Sequence, residues 1–401
     1  TLTVISVESV GMYALKYFGT EELLLNGQII DPERVYILTQ GSSIRSSKVN
    51  PIYYSDIISR YLTDKSESKI AFVAKDLTYR FKGGKIGLHP LSFSEDSGKL
   101  IGIMGASGSG KSTLLNILNG NYKPFSGAVT INGQDIHGGS EEVNGMIGYI
   151  SQDDLLIDEL TVYQNLFLNA KLCFDGLSNE DIRERVDGTL TALGLFEIKD
   201  IQVGNPMNKK ISGGQRKRLN CGLELIREPS VLFVDEPTSG LSSRDSENIM
   251  DLLKELALKG KLIFVVIHQP SSEIFKMFDK LMIMDTGGFP IYYGNPLDAI
   301  VYFKTEVQAI NQSQSECVTC GNVNPEQIFN IIEAKVVDEY GNHTELRKTS
   351  PKEWNKVFLE KFISELNLEE PELPEVEFKT PNFINQLKVF ITRDVLSKIT
   401  N

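Results

Sequence analysis

Short apolar runs alternate with helix-like spacing through the middle of the chain. Between Ile70 and Lys304 the continuous runs are Leu100–Met104, Val231–Val234, Leu262–Ile267 and Leu281–Met284. Aliphatic and β-branched runs without polar alternation are typical of strands that are buried on both faces of a largely parallel sheet. The pattern therefore predicts an α/β fold for this region.

Two stretches depart from this alternation. Residues 153–228 lack continuous apolar runs and carry apolar side chains at helical spacing, so we expect a mostly helical insertion there. Residues 305–380 are more polar, with several prolines and an acidic stretch from Glu365 to Glu377. We expect them to form a solvated connecting region with a few packed helices, such as Glu353–Leu366.

The beginning of the chain reads as a separate accessory segment of unknown role. Residues 1–64 predict short strands around a turn-rich loop, and the polar stretch Thr63–Lys69 has the composition of an exposed linker. We place a boundary there, so that the main domain covers residues 65–304. An alternative is that residues 1–64 make the protein mainly a scaffold or sensor, with Gly41–Tyr54 as a partner loop.

The end of the chain predicts an amphipathic helix over residues 381–401, in which apolar side chains lie near one face and charges exclude a membrane span. No stretch approaches the roughly 18 apolar residues that a spanning helix needs. Because the sequence begins at Thr1 rather than Met and stops at Asn401 within a helical pattern, we expect a fragment of a longer chain.

Charge and cysteine content narrow the choice of partners. The net charge of −12 and the pI near 5.0 argue against nucleic acid as a partner, because that binding depends on Lys and Arg neutralising phosphates. Four cysteines without a disulfide-like pattern favour a reducing, cytoplasmic compartment. Cys317 and Cys320 form half of a zinc-site spacing, but we interpret them as two reduced thiols because no second ligand pair is present.

Residues Gly105–Thr113 match a phosphate-binding loop. The segment Gly-Ala-Ser-Gly-Ser-Gly-Lys-Ser-Thr lies between an apolar strand and a helical pattern, where the glycines allow close backbone approach to phosphates. Lys111 adds a positive charge for the β- and γ-phosphates. Ser112 supplies a hydroxyl for Mg²⁺, which prefers oxygen ligands.

Polar side chains follow three other predicted strands. Asp235 and Glu236 end the run 231–234, so both carboxylates should emerge at the carboxyl edge where α/β sheets bind ligands. We assign Mg²⁺ or its waters to Asp235 and the attacking water to Glu236. Gln152 and His268 also follow strands, and we interpret them as phosphate contacts rather than as structural residues.

A second glycine-rich helix start occurs at Ile211–Gln215, where amides at a helix N-terminus favour anions. Residues 70–304 resemble the nucleotide-binding domains of ATP-binding cassette (ABC) proteins. The resemblance is carried by this segment together with the phosphate loop, Gln152, Asp235–Glu236, the turn Ser239–Leu241 and His268. The sequence is similar to the G, or White-type, subfamily of transporters in four segments, which are Ser212–Arg218, Asp235–Leu241, Val266–Leu281 and Tyr292–Gly294.

The resemblance implies an ABC ATPase fold, with a P-loop core sheet, a helical subdomain and an antiparallel β part. It also implies an ATP-hydrolysing subunit whose ligands are ATP and Mg²⁺, and in which Glu236, His268 and Lys111 are catalytic and Ser112, Gln152 and Asp235 hold the metal. The ATP-binding set that it implies is Phe81, Gly105, Ala106, Ser107, Gly108, Ser109, Gly110, Lys111, Ser112, Thr113, Gln152, Ser212, Gly213, Gly214 and Gln215.

The resemblance further implies partners and a location. Two copies would form a head-to-tail dimer, in which Ser212 and Gly214 of one copy complete the site of the other. A transmembrane domain would follow on the same full-length chain, the C-terminal helix would lie at the cytoplasmic face of the membrane, and the cargo would be hydrophobic or lipid-like. The alternative is a soluble cassette ATPase that remodels or regulates a complex without transport.

The chain departs from the family pattern at three points. Ser242 stands where the family usually has an acid, which affects communication across the dimer. Phe81 takes the position of the adenine-stacking tyrosine, with Tyr79 as the alternative. Residues 1–64 have no recognised counterpart.

Overall fold

The computed structural model describes residues 1–7, 12–25, 28–38, 42–45, 52–54, 57, 70–205, 208–308, 315, 322–340, 342–362 and 379–399. Three features named above lie outside these residues. They are the linker 63–69, the pair Cys317 and Cys320, and the acidic stretch 365–377.

The N-terminal segment forms two small antiparallel sheets. Its strands are β1 (Leu2–Val7), β2 (Met12–Tyr17), β3 (Leu24–Leu25), β4 (Gln28–Ile29), β5 (Val35–Leu38), β6 (Ser43–Arg45) and β7 (Ile52–Tyr53). One sheet has the order β1-β2-β5 and the other β4-β3-β6-β7. Alternating inward side chains such as Leu15, Tyr17 and Leu38 build a core of their own, and Leu258 from the main domain packs against it.

The rest of the chain alternates strands and helices. The strands are β8 (Ala71–Arg80), β9 (Ile86–Asp96), β10 (Leu100–Gly105), β11 (Ser126–Ile131), β12 (Gln134–Asp135), β13 (Ile147–Ile150), β14 (Val231–Asp235), β15 (Leu262–Val266), β16 (Lys280–Asp285), β17 (Phe289–Gly294), β18 (Lys335–Val337) and β19 (His343–Arg347). The helices are α1 (Lys111–Leu118), α2 (Glu141–Met146), α3 (Val162–Cys173), α4 (Asn179–Ala192), α5 (Gly213–Leu225), α6 (Ser243–Leu258), α7 (Ser272–Met277), α8 (Pro296–Glu306), α9 (Glu326–Ile332), α10 (Pro351–Lys361) and α11 (Phe383–Ile399).

A central sheet of order β13-β14-β15-β10-β16-β17 carries the main core. Its first five strands pair in parallel, and β17 is an antiparallel edge strand. Every residue of β10, β14 and β15 is buried, as continuous apolar runs predict for strands covered on both faces. The α/β prediction is therefore confirmed, and an antiparallel sheet of order β12-β11-β8-β9 packs beside it.

A buried ion pair holds the start of β10. The Lys254 ammonium of α6 lies 2.6 Å from Oδ1 of Asp279, and the other oxygen of Asp279 accepts a hydrogen bond from the Leu100 amide at 2.7 Å. Both charged side chains are almost fully buried, so removing either partner would leave an uncompensated charge. The pair thus fixes α6 to the strand that leads into the phosphate-loop segment.

Helices α3, α4 and α5 lie within the predicted insertion 153–228 and share an apolar core. Each of these three helices begins with a reciprocal capping box, led by Thr161, Ser178 and Ser212 respectively. These caps explain where the polar sequence between the strands becomes helical.

The described part of the connecting region includes a helix and a hairpin that pack on the main domain. Trp354 and Phe358 of α10 belong to the two large cores, and Asn355 Nδ2 donates to the Pro290 carbonyl at 2.7 Å. Arg347 of β19 forms an ion pair with the buried Asp285 of β16 at 2.8 Å. Helix α10 overlaps the packed helix expected over Glu353–Leu366, and the Arg347 ion pair attaches the hairpin β18–β19 to the same domain.

Candidate active site at the carboxyl edge of the central sheet

Residues 105–110 connect β10 to α1 in a turn that requires glycine. A Cβ atom on Gly105 would lie 2.4 Å from the Met284 carbonyl oxygen, which is backbone and cannot rotate away. Gly110 caps α1 with a left-handed φ of 93°, and a Cβ there would lie 3.1 Å from the Gly87 carbonyl oxygen. Gly108 also has a positive φ but faces open space. The loop therefore packs closely against neighbouring backbone at both ends and is exposed at its tip.

Lys111 turns back over the loop that precedes it. Its Nζ donates to the carbonyl oxygens of Gly105 at 2.8 Å and Ala106 at 3.0 Å. Burial lowers the pKa of Lys111, while the nearby carboxylates of Glu236 and Asp235 act in the opposite direction. The ammonium therefore lies between the loop and the acidic end of β14.

Two hydroxyls flank this ammonium in different environments. Ser112 is exposed at the first turn of α1, whereas the buried Ser109 hydroxyl has no hydrogen-bond partner within the described part of the chain. A buried polar atom without a partner is unusual in folded proteins, and sites that bind a ligand are one place where it occurs.

The end of β14 brings two carboxylates to the same edge. Asp235 is the last, buried residue of the strand, and burial together with Glu236 raises its pKa, against the effect of Lys111 and Lys217. Glu236 follows with a left-handed φ of 43°, and its amide donates to the Val266 carbonyl at 3.0 Å. A non-glycine residue in this conformation is strained, and such strain is concentrated at functional sites.

Gln152 joins this group by a direct contact. It lies two residues after β13, and its Nε2 donates to Oε2 of Glu236 at 3.1 Å. His268, two residues after β15, is exposed and makes no hydrogen bond among the described residues. The structure therefore brings Lys111, Gln152, Asp235 and Glu236 together, and it leaves His268 at the same edge without a direct contact to them.

The second glycine-rich segment forms a separate surface. Ser212 caps α5, because Gln215 N donates to its Oγ at 3.1 Å and Ser212 N donates to Gln215 Oε1 at 2.8 Å. Gly213 and Gly214 are the first residues of that helix. Within the described residues, no hydrogen bond connects the side chains of Ser212 or Gln215 with Lys111 or Glu236.

Gly214 packs against the start of α6. A Cβ on Gly214 would lie 2.4 Å from Oδ1 of Asp245. Ser242 caps α6 by accepting from the Asp245 amide, and its Oγ donates to Asp245 Oδ2 at 2.8 Å. A carboxylate is therefore present one turn after Ser242, beside Gly214.

The two aromatic candidates for adenine differ in exposure. The Tyr79 ring stacks on Tyr122 with 5.6 Å between the ring centroids. Phe81 contacts the edge of Tyr79 and remains 40% exposed. A stacked partner already covers one face of Tyr79, so Phe81 has the more accessible ring.

Sequence reasoning missed the cations of α5 that reach the segment after β13. Lys217 Nζ donates to the Gln152 carbonyl at 2.8 Å, and Arg216 forms ion pairs with Asp154 and Asp158 at 2.6 and 2.7 Å. One signal was available, since Lys217 is spaced three and four residues from the buried Gly214 and Cys221. A lysine on the core-facing side of a helix predicts a specific partner.

A phosphate-binding loop before a helix, with two carboxylates at the end of another strand of the same sheet, defines the class of P-loop nucleotide-binding domains. A family model described as "ABC transporter" matches residues 88–239. This part of the chain is an ABC transporter ATP-binding domain, and it is homologous to the G family of these transporters.

Two curated relatives come from Arabidopsis thaliana. ABC transporter G family member 14 is 41% identical over 210 residues, which cover 52% of this chain and 32% of the relative. G family member 22 is 34% identical over 293 residues, which cover 69% of this chain and 38% of the relative. The chain thus spans less than half of the length of these relatives.

A solved structure supports the same fold. CbiO1 from Clostridium perfringens, described as part of the ABC transporter complex CbiONQ, matches with a TM-score of 0.51 and 28% identity. The match covers 59% of this chain and 92% of CbiO1. Together with the family match, it supports an ATP-hydrolysing domain with the ABC ATPase fold.

Two features are absent from the described residues, a membrane-spanning helix and a cluster of metal-binding side chains. None of the described helices combines the length and the apolar character needed to cross a membrane. Among the same residues, no three His, Cys, Asp or Glu side chains cluster as a metal site.

Proposed function

We propose that this chain binds ATP with Mg²⁺ and hydrolyses it to drive a transporter. The observation that carries the proposal is the meeting of Lys111, Gln152, Asp235 and Glu236, in which Gln152 Nε2 donates to Glu236 at 3.1 Å. Loop amides and the Lys111 ammonium would hold the phosphates, since a helix N-terminus favours anions. The aromatic ring of Phe81 would stack on adenine.

Glu236 is the general base of the proposed reaction. The water oxygen forms a bond to the γ-phosphorus while the bond to the β–γ bridging oxygen breaks, and ADP leaves with that oxygen. Glu236 accepts the proton of the attacking water, and Gln152 holds the carboxylate in position through its amide. His268 would contact the γ-phosphate from the neighbouring strand end.

The donor atoms near the loop suit Mg²⁺. Ser112 offers a hydroxyl, Asp235 a carboxylate and Gln152 an amide oxygen, since its nitrogen donates to Glu236. Hard cations prefer oxygen ligands, and Mg²⁺ is commonly held by one or two protein groups together with substrate phosphates. When bound, the ion would neutralise charge on the β- and γ-phosphates.

Two copies would form the complete enzyme. The exposed Ser212 and the amides at the start of α5 are separate from the phosphate loop of their own chain, so they can meet the γ-phosphate held by a partner. Gly213, Gly214 and Gln215 would line the same surface. We therefore propose a homodimer with two nucleotides between the copies.

The proposed transporter includes a transmembrane component. The curated relatives are about three times the length of the matched segment, and CbiO1 is described as part of a transporter complex. We place such a component on the same full-length chain, because the matched segments cover only 32% and 38% of the two G-family relatives. The ATPase domain would then work at the cytoplasmic face of the membrane.

The substitution Glu236→Gln tests the catalytic assignment. It should lower kcat by at least about 100-fold, because a positioned general base contributes that much. Affinity for a fluorescent ATP analogue should be retained, since the amide keeps the shape of the side chain. ATP should then hold the variant as a dimer, which sedimentation would detect.

Glu228→Gln is the matched control. Glu228 is also a left-handed glutamate, with a φ of 54°, but it is exposed and lies after α5. Its kcat should stay within about twofold of wild type, because exposed substitutions usually have small effects. Steady-state hydrolysis by Glu236→Gln close to the wild-type rate would refute the role of Glu236.

A further inference from the structure

Lys217 is a buried cation that makes no salt bridge to a carboxylate within the described part of the chain. It lies in α5 with 8% of its surface exposed, and its Nζ donates to the carbonyl oxygens of Gln152 at 2.8 Å and Ser151 at 3.5 Å. Burial of an ammonium is costly and lowers the pKa of Lys217, whereas the nearby acidic groups of Cys221, Asp154, Asp235 and Asp153 act in the opposite direction.

The carbonyl that Lys217 holds belongs to the residue that contacts Glu236. Gln152 thus receives a hydrogen bond on its backbone from α5 and donates one from its side chain to Glu236 at 3.1 Å. The rest of the segment is fixed to the same helix, because Arg216 pairs with Asp154 and Asp158 and the Leu155 amide donates to Asn220.

We propose that Lys217 is a positioning residue for ATP hydrolysis, which sets the Gln152 amide against the Glu236 carboxylate from helix α5. The inference rests on the proposed hydrolysis by Glu236. Helix α5 begins at Ser212, which faces the partner's nucleotide in the proposed dimer, and Lys217 lies little more than one helical turn later. One rigid helix therefore connects the surface for the partner's nucleotide with the base of the chain's own site.

The test compares Lys217→Met with Arg218→Met in the 401-residue chain. Arg218 is the adjacent cation of α5 and also donates to a backbone carbonyl, that of Leu193, but it does not touch Gln152. Lys217→Met should lower kcat by roughly 10- to 100-fold with little change in KM, since misplacement of a catalytic group by about 1 Å has effects of that size. Arg218→Met should retain the wild-type kcat, and Lys217→Arg should recover most of the loss.

A double-mutant cycle separates positioning from a general structural effect. In a Gln152→Ala background, Lys217→Met should cause little further loss of kcat, because the side chain that it positions is gone. An undiminished loss in that background would overturn the proposal. So would equal kcat values for Lys217→Met and Arg218→Met.

Hydrogen exchange gives a readout that does not depend on activity. Amides of residues 151–158 should exchange faster in Lys217→Met than in Arg218→Met, while the amides of β14 keep their protection. Unchanged exchange of residues 151–158 would overturn the proposal even if the chain hydrolysed no ATP. Absence of wild-type hydrolysis would contradict the proposed function alone.

Discussion

At the scale of residues, contact distances separate the glycines that shape the site from those that only occupy a turn or helix. A Cβ on Gly105 would meet the Met284 carbonyl oxygen at 2.4 Å, on a paired strand of the central sheet. A Cβ on Gly188, at an exposed position of helix α4, would meet nothing within 4 Å. The two positions should therefore respond to alanine in opposite directions.

Gly105→Ala should lower the free energy of unfolding by about 2 kcal/mol, because overpacking a close contact has a cost of that size. It should also weaken binding of a fluorescent ATP analogue, since the loop must shift. Gly188→Ala should leave binding unchanged and raise the free energy of unfolding by up to about 1 kcal/mol, through helix propensity. Urea denaturation measures the free energy of unfolding. Equal unfolding midpoints for the two variants would contradict the opposite effects expected at Gly105 and Gly188.

The sequence predicted those site residues that follow directly from strand and loop pattern. Asp235 and Glu236 stand at the end of one apolar run, and Lys111 ends the loop that follows another, so their common edge could be expected before the structure. The contacts from Lys217 to Gln152 and from Asp245 to the vicinity of Gly214 could not, because each joins segments far apart in the chain. Spacing along one element does not fix which residues of two elements meet.

At the scale of elements, the region after α8 shows how a few large side chains attach a polar segment to the domain. A packed helix was expected over Glu353–Leu366, and Trp354 of α10 is only 1% exposed and packs edge-on against Phe303 with 5.2 Å between ring centroids. The ion pair between Arg347 and Asp285 fastens the hairpin β18–β19 to the central sheet. A few well-placed contacts hold this region, and such contacts contribute little to an average over its residues.

Helix α11 has an apolar face that points away from the domain. The helix packs on α3, and its exposed apolar side chains are Phe383, Ile384, Leu387, Phe390, Ile391 and Val395. Lys388 and Lys398 are also exposed. With 17 residues the helix is about 25 Å long. We propose that it lies on the surface of a membrane, with its apolar face in the headgroup region.

The double substitution Leu387→Glu with Ile391→Glu tests this proposal. Binding of the chain to vesicles of mixed neutral and anionic phospholipid should fall at least about tenfold, because each buried aliphatic side chain contributes roughly 1.5 kcal/mol or more. Thr392→Glu, exposed on the same helix, is the control and should bind almost as wild type. Cosedimentation provides the measurement, and equal binding by all three chains would exclude α11 as the contact.

At the scale of the whole molecule, one chain holds two different halves of the proposed enzyme. Lys111, Gln152, Asp235 and Glu236 form one surface, and Ser212 with the start of α5 forms another. Ser242 stands in this second surface where the family usually has an acid, and Asp245 supplies a carboxylate beside Gly214 instead. If hydrolysis requires both surfaces around one nucleotide, they must come from two copies related by a twofold axis.

Complementation between two inactive variants tests that arrangement. Lys111→Ala removes the ammonium of the phosphate loop, and Ser212→Arg blocks the surface at the start of α5, so each homodimer should be nearly silent. In an equimolar mixture about half of the dimers are mixed, and each of these has one intact site, made from Lys111 of one copy and Ser212 of the other. The mixture should therefore recover up to roughly a quarter of the wild-type rate per chain.

Adding Glu236→Gln to the Ser212→Arg chain removes the base from that one site and should abolish the recovery, whereas adding it to the Lys111→Ala chain should not. Equal loss in both cases would show that the surviving site is not built as proposed, and absence of any recovery would contradict a composite site that works singly.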